Sequence, residues 1–299
     1  MTDRIRLSSI EGGANWWRVI NWAAEGFRTA GFDVELKRFG AYGDDTCARV
    51  ASGASDMCVS LKTYASQAAK GRAPFSEASR GVRGLANLMH PGHIFYLAVT
   101  AEIGVTTLAE LAQGKPVLNL CIPGDEAGQE VISAILRAYG VNGLDEIKSL
   151  GGRFFFDFEE AGRLLLSGEA NGLMRENTRQ GPIGQAASGR RMVFLSLDRS
   201  IAECVGEAFG LDVVTIPAGS FPNQAQPVTA VENGGYPLIV GSQMEEERAY
   251  RLARTIDESF PRHWASEDIF YSPKHAPDTG CPLHPGAARY YREIGRLKV

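Results

Sequence analysis

The chain has 299 residues, of which 44% are apolar and 22% are charged, proportions that argue against a disordered chain, a collagen-like repeat or a small disulfide scaffold. The length predicts roughly two domains, or one large one. The net charge is −4 and no long run of either sign occurs, so we expect no nucleic-acid partner and no anionic membrane surface.

Short apolar runs alternate with helical patterns over the first part of the chain, a rhythm typical of βαβ units around a largely parallel sheet. Asn15 is the candidate N-cap of the first helix, whose apolar positions run from Trp16 to Phe27 before a stop at Gly31. The other predicted elements are strands at Arg4–Ile10, Asp33–Phe39, Met57–Ser60, Val82–Met89 and Ile94–Thr100, with helices through Cys47 and Val50 and at Tyr64–Lys70.

A second α/β series follows, and its clearest helix carries apolar residues from Val131 to Tyr139 before Gly140. Further helices are predicted at Leu108–Leu111, Glu159–Leu166, after Pro182, and at Arg199–Phe209, Met244–Phe260 and Ala287–Leu297. Further strands are predicted at Pro116–Ile122, Arg153–Phe156, Ala170–Met174, Met192–Leu195, Val213–Ile216, Val228–Val231 and Pro237–Val240. The last elements are too few for a core of their own, so we expect them to complete the first domain.

Five cysteines occur without a C-x-x-C pair, which argues against a disulfide framework and against a zinc site. We expect small buried thiols at all five positions, because free cysteine is among the most buried residue types. The five are Cys47, Cys58, Cys121, Cys204 and Cys281.

The first residues lack a cationic stretch followed by an apolar core, so no secretory signal is visible. No apolar run reaches the length of about 18 residues that predicts a membrane span. As written, the chain is expected in the cytoplasm, and a leader preceding it would make it periplasmic.

Loops after the predicted strands are expected to converge on one crevice, where ligands bind in α/β proteins. Gly12 and Gly13 would let backbone N–H groups at a helix start approach an anion, although such a pair is structural at least as often. Trp17 lies off the apolar stripe of the following helix and offers a stacking surface, whereas Trp16 continues that stripe and is better explained by core packing.

Three polar residues follow a very short predicted strand. They are Ser60, Lys62 and Tyr64. Hydroxyl groups beside a lysine suit a small molecule that carries a carboxylate. The alternative is a solvated lysine next to a turn serine.

Two histidines stand in the segment H-P-G-H, at His90 and His93. Pro91 and Gly92 break the helical register that would present both rings together, and no H-E-x-x-H pattern is nearby, so we expect no metal. A polar role in the crevice and a role as ordinary loop histidines both remain open.

The segment Pro123–Gly128 connects a predicted strand to the clearest helix, and Asp125 is its candidate N-cap. With Glu126 it occupies the positive end of that helix, so an amine, a hydroxyl or a water-bridged group is more compatible there than a second anion. Arg175 and Glu176 follow a predicted strand and could clamp a ligand; a surface ion pair is the alternative. No G-x-S-x-G occurs, so no catalytic triad is indicated.

Seven segments together resemble the TAXI family, the TRAP-associated extracytoplasmic immunogenic solute-binding proteins of tripartite transporters. The likeness covers almost the whole chain. Its carriers are G-G-A-N-W-W at Gly12–Trp17, the turn at Phe39–Cys47, S-G-A-S-D-M at Ser52–Met57, L-A-E-L-A-Q-G-K-P-V at Leu108–Val117, I-P-G-D-E-A-G at Ile122–Gly128, I-P-A-G-S-F-P-N-Q at Ile216–Gln224 and P-L-H-P-G-A-A-R-Y-Y-R-E-I-G at Pro282–Gly295.

The resemblance implies a fold of the type II periplasmic-binding-protein kind: two α/β lobes with a hinge and an interlobe ligand cleft. We expect a discontinuous lobe 1 at residues 1–96 plus 206–299 and lobe 2 at residues 97–205. The implied function is a bacterial solute-binding protein that closes on a small polar organic ligand of the amino-acid or carboxylic-acid class. If exported, it would present that ligand to TRAP-type membrane subunits. A monomer without a cofactor is expected.

Carried over by position, the ligand-binding residues are expected to be Gly12, Gly13, Trp16, Trp17, Tyr42, Ser60, Lys62, Tyr64, His93, Tyr96, Gly124, Asp125, Arg175 and Glu176. No catalytic residue is expected in this interpretation. The alternative is a leaderless cytoplasmic enzyme, similar to a decarboxylase or dehydratase, or a metabolite sensor on the same fold. Its acid–base groups would be His90, His93, Lys62 and Glu176.

Overall fold

Two separate β-sheets organise the chain. A computed structural model describes residues 3–10, 14–40, 45–75, 77–88, 93–177, 181–259 and 271–298. Their elements are, in chain order, β1 (Arg4–Ile10), α1 (Ala14–Thr29), β2 (Asp33–Phe39), α2 (Asp45–Ala51), β3 (Met57–Val59), α3 (Lys62–Lys70), β4 (Val82–Asn87), β5 (His93–Thr100), α4 (Leu108–Gly114), β6 (Asn119–Cys121), α5 (Glu126–Ala138), α6 (Gly143–Ser149), β7 (Arg153–Phe155), α7 (Ala161–Ser167), β8 (Gly172–Asn177), α8 (Pro182–Gly189), β9 (Met192–Phe194), α9 (Arg199–Phe209), β10 (Asp212–Ile216), β11 (Val228–Asn233), β12 (Pro237–Gly241), α10 (Glu246–Ser259) and α11 (Pro285–Glu293).

The first sheet has the strand order β2-β1-β3-β12-β4. β1 is parallel to both of its neighbours, whereas β12 is antiparallel to β3 and to β4. Because β12 comes from the last third of the chain, the first compact unit comprises Met1–Gly92 together with Gly234–Val299. The helices α10 and α11 belong to it.

The second sheet has the order β10-β11-β5-β8-β6-β7, and β9 also pairs with β5. β5 is antiparallel to β8, β9 and β11, and β6 is parallel to β7 and β8. The largely parallel sheet predicted for the first part of the chain is confirmed in the first sheet, where β1, β2, β3 and β4 share one direction and β12 opposes them. It does not extend to β5, which pairs antiparallel in the second sheet, because hydrophobic periodicity does not encode strand direction. Both sheets are mixed.

The second compact unit is His93–Asn233, which corrects the predicted assignment of residues 93–96 and 206–233 to the first lobe. The reason is the antiparallel pairing of β10 with β11, and of β11 with β5. These pairings add both strands to the second sheet.

The core of the second unit lies on both faces of its sheet, since successive side chains of a strand point to opposite faces. Phe95, Leu97 and Val99 pack with the apolar stripe of α5 on one face. Tyr96 and Ala98 pack with residues of α7 and α8 on the other. Each fully buried Leu, Ile or Val contributes about 1.5–3 kcal/mol of burial free energy, so packing on both faces stabilises the sheet.

Most predicted elements are present, with a few differences. α6 was not predicted, and α1 begins at Ala14, so Asn15 is the second residue of that helix and does not precede it as predicted. All five cysteines are free, but Cys204 is exposed and Cys281 is half-buried, which corrects the expectation of five buried thiols. Among the described helices, none combines the length and the apolar character that a membrane span requires.

Candidate functional site

Several predicted site residues fall outside the described part of the chain. They are Gly12, Gly13, Tyr42 and His90. Roles for these four residues stay predictions. The remaining predicted residues fall into two groups, one in each compact unit, and each group is described by itself.

The aromatic residues of the first unit have two different environments. Trp16 is buried and packs against Tyr64 and, edge-on, against Tyr236, with ring centroids 6.4 and 5.3 Å apart. Trp17 is 36% exposed, and the guanidinium carbon of Arg38 lies 3.1 Å from the centroid of its ring. Trp16 is thus part of the core, while Trp17 presents a face already occupied by a cation.

Ser60 and Lys62 are both buried, so the alternative of a solvated lysine beside a turn serine is wrong. The Ser60 hydroxyl shares a 2.8 Å hydrogen bond with that of Thr46. Lys62 donates to the Asp278 carboxylate at 2.5 Å. Asp278 is 216 positions further along the chain, and sequence proximity gave no signal for this pair.

The predicted polar residues of the second unit cluster around the end of β8. Arg175 and Glu176 were expected beyond a strand ending at Met174, but β8 continues to Asn177. Opposite it on β5, Tyr96 pairs with Arg175, Phe95 with Glu176, and Ile94 with Asn177. Because strand side chains alternate, Arg175 and Asn177 share one face and Glu176 starts from the other.

Arg175 is buried and anchored by backbone oxygens. Its Nη1 donates to the carbonyl oxygens of Ile122 and Phe156, at 3.3 and 3.2 Å. These carbonyls directly follow β6 and β7, and the guanidinium carbon lies 4.9 Å from the Phe158 ring centroid. Its Nε is buried without a hydrogen-bond partner among the described residues, so one donor of a fixed cation is still available.

Glu176 lies beside Arg175 without a hydrogen bond to it, since Arg175 Nη2 and Glu176 Oε1 are 4.0 Å apart. Burial raises the pKa of Glu176 to about 7; the Arg175 charge opposes the rise and the Asp125 charge adds to it. Its Oε2 has no partner within the described part of the chain. The surface ion pair considered for Arg175 and Glu176 is therefore wrong: both groups are largely buried.

His93 is the first residue of β5 and not part of a loop, which corrects its predicted placement. It is opposite Asn233 of β11. Burial, with a smaller contribution from the Arg175 charge, lowers the pKa of His93 to about 4. The ring is therefore neutral at pH 7. Tyr96 is buried and packs edge-on against Phe194 and Phe221.

Asp125 caps α5, as predicted, because its side chain accepts a 2.7 Å hydrogen bond from the Gly128 N–H. Gly124 precedes it in the connecting turn. The Asp125 carboxylate already interacts with the positive end of α5 and therefore repels a second anion there. The turn therefore disfavours a second anion, and the buried cation Arg175 is the remaining candidate partner for an anionic group.

Asn177 was not singled out from the sequence. It is 1% exposed, and neither Oδ1 nor Nδ2 has a hydrogen-bond partner among the described residues. A buried polar atom left unpaired costs about 1–3 kcal/mol, so this amide requires a partner from solvent or from a ligand. The sequence spacing could have indicated Asn177, because it is two residues from Arg175 and residues two apart on a strand share one face.

Two buried groups with unpaired polar atoms, Arg175 and Asn177, therefore extend the apolar face formed by Tyr96 and Leu173. Such an arrangement can hold a small molecule by its carboxylate and one further polar group. No group of three or more His, Cys, Asp or Glu that could hold a metal ion occurs in the described ranges.

The fold is that of periplasmic binding proteins, which are built from two α/β lobes. The chain resembles the binding protein component of an ABC phosphonate transporter from Pseudomonas aeruginosa, with a TM-score of 0.52, 10% sequence identity, and 93% of this chain and 83% of that chain covered. It also resembles the periplasmic aliphatic sulphonate binding protein SsuA from Escherichia coli, with a TM-score of 0.46, 10% identity and coverages of 88% and 69%. It further resembles the Atu4243-GABA receptor, with a TM-score of 0.48, 15% sequence identity, and 99% of this chain and 88% of that chain covered.

Residues 43–295 match the sequence profile of the NMT1-like family. This match covers most of the chain, and the protein therefore belongs to that family. No curated protein matches the sequence.

Proposed function

We propose that this protein is a solute-binding protein for a small polar organic ligand of the amino-acid or carboxylic-acid class. The observation that carries the proposal is Arg175: a buried guanidinium, held by two backbone carbonyls, with an unpaired Nε. A fixed arginine donor binds a carboxylate strongly, because both partners are charged and the guanidinium loses little freedom.

We further propose that it is of the TAXI type and presents its ligand to TRAP-type membrane subunits. The support is the order of seven motifs along the chain, together with the NMT1-like family membership. The fold shared with the phosphonate-transporter binding protein agrees with a binding role. That protein's ligand is not transferred to this chain.

The test is a thermal-shift screen of amino acids and of small aliphatic and aromatic carboxylic acids, followed by mass spectrometry of each stabilising compound after incubation. We expect at least one carboxylate to raise the melting temperature and to be recovered unchanged. Chemical conversion that is abolished by His93→Ala would instead support the enzyme alternative. The absence of any stabilising carboxylate would refute the proposal.

Arg175→Lys is the informative variant for this screen, because lysine keeps the charge and loses the planar fork. It should abolish most of the ligand-induced shift. The matched control is Arg190→Lys, since Arg190 also donates through Nη1 to a backbone carbonyl, that of Leu165, at 2.8 Å. The control should leave the shift unchanged.

A further inference from the structure

We infer that Asn177 sets the ligand specificity of the second unit: it selects a carboxylate that carries a nearby hydroxyl or amide group over the same carboxylate without it. This inference rests on the proposed function and deepens it. It concerns the second polar group of the ligand, whereas the proposed function concerns the carboxylate.

The amide of Asn177 has unused hydrogen-bonding capacity. Asn177 offers an acceptor at Oδ1 and a donor at Nδ2, and both atoms are buried without partners among the described residues. A plain alkyl chain could satisfy neither atom. A hydroxyl or carboxamide can both donate and accept, and is therefore the complementary group.

Asn177 also lies close to Arg175. Arg175 and Asn177 are two residues apart on β8 and on one face, so their Cα atoms are about 7 Å apart. Opposite them on β5 are Tyr96 and Ile94, which contribute an apolar surface. A carboxylate on Arg175 Nε would thus place a group a few bonds away within reach of Asn177. The expected ligand is short, with about three to five carbons.

Asn171, an asparagine just before β8, differs from Asn177 in its hydrogen bonds. Its Oδ1 accepts from the Asn119 N–H at 2.7 Å, and its Nδ2 donates to the Val117 carbonyl at 3.0 Å. Both amide atoms of Asn171 thus form hydrogen bonds with the protein backbone, as those of a structural asparagine do. Neither amide atom of Asn177 forms a hydrogen bond with a described residue.

The experiment compares two ligand pairs that each differ by one group: butanoate with 3-hydroxybutanoate, and pentanoate with succinamate. Dissociation constants are measured by calorimetry on the full chain, for the wild type, Asn177→Leu and Asn171→Leu. Leucine has the same number of side-chain heavy atoms and the same branching as asparagine, and it removes both polar atoms. We expect the wild type to prefer the hydroxyl or amide member of at least one pair by about tenfold or more.

Asn177→Leu should erase this preference while keeping its affinity for the plain carboxylate, and its melting temperature without ligand should not fall. Asn171→Leu should lower the melting temperature and keep the preference. If Asn177→Leu does not fold, Asn177→Ala decides by the same criterion. A wild type that binds both members of each pair equally overturns the inference. An Asn177 variant whose affinity falls equally for both members of a pair overturns it as well.

The two proposals fail in different ways. Binding of carboxylates without any preference refutes the specificity of Asn177 and leaves the solute-binding function standing. Failure of every carboxylate in the wider screen refutes the solute-binding function, and the inference about Asn177 with it.

Discussion

Replacing Glu176 by glutamine should change how the stability of the protein depends on pH. The pKa of Glu176 is about 7 in the folded chain, against an ordinary value of 4.5. Between these values the folded state holds a proton that the unfolded state has released. This glutamate therefore stabilises the fold fully below pH 4.5, and its contribution is lost as the pH rises through 7.

The magnitude follows from the size of the shift. A difference of one pKa unit corresponds to about 1.4 kcal/mol, so the free energy of unfolding should lose about 3 kcal/mol from this group over the window. His93 acts in the opposite direction. Its pKa is lowered from 6.5 to about 4, so its contribution is complete above pH 6.5 and is lost as the pH falls through 4.

The two contributions have similar size and opposite sign over nearly the same range, so they should largely cancel in the wild type. Glu176→Gln removes one of them. The free energy of unfolding of this variant, relative to the wild type, should rise by about 3 kcal/mol between pH 4.5 and 7. His93→Gln should show the reverse trend over pH 4 to 6.5.

The assay is urea unfolding followed by circular dichroism, at half-unit steps of pH, with the slope of free energy against denaturant checked for constancy. A difference in the free energy of unfolding between Glu176→Gln and the wild type that stays constant from pH 4.5 to 7 would contradict this expectation. Glu176 would then not be protonated differently in the folded and unfolded states.

Three further changes test other parts of the structure, all measured by urea unfolding. Asp125→Ala should cost about 1 kcal/mol through loss of the α5 cap, and equal stability would contradict the cap. Asp278→Asn should cost about 1–2 kcal/mol, because the buried Lys62 loses its carboxylate partner, and a neutral result would exclude a stabilising ion pair. Gly280→Ala should destabilise the chain by more than Gly151→Ala. Both glycines have positive φ, but of the two only Gly280 would place its new Cβ against a backbone oxygen, that of Lys62, at 2.4 Å. Equal losses of stability would contradict the close approach.

Much of the local structure could be predicted from the sequence, because its signals act over short distances. The apolar spacing of α5 and its cap at Asp125 are both within one helix. The antiparallel direction of β12 could not be predicted in the same way. It depends on which strands pair, and β12 enters the first sheet from a distant part of the chain.

The candidate site was predicted in part. Arg175 and Glu176 were singled out as polar residues after an apolar run, but that run was taken to end at Met174. Since β8 continues through the polar residues, strand alternation places Asn177 on the same face as Arg175. Burial of Arg, Glu and Asn at the end of a strand is a tertiary effect that polarity alone does not reveal. The pairing of Lys62 with Asp278 likewise depends on the fold.

The proposed solute-binding function depends on Arg175, the buried arginine of the second unit, as the group that binds the carboxylate of a small ligand. Its most direct test is calorimetric titration of the best carboxylate from the thermal-shift screen into the wild type, Arg175→Met and the control Arg190→Met. A charged hydrogen bond is worth about 1.5–3 kcal/mol, so Arg175→Met should weaken binding by about 10- to 100-fold, and Arg190→Met should bind as the wild type does. Equal affinity of the wild type and Arg175→Met would contradict the claim.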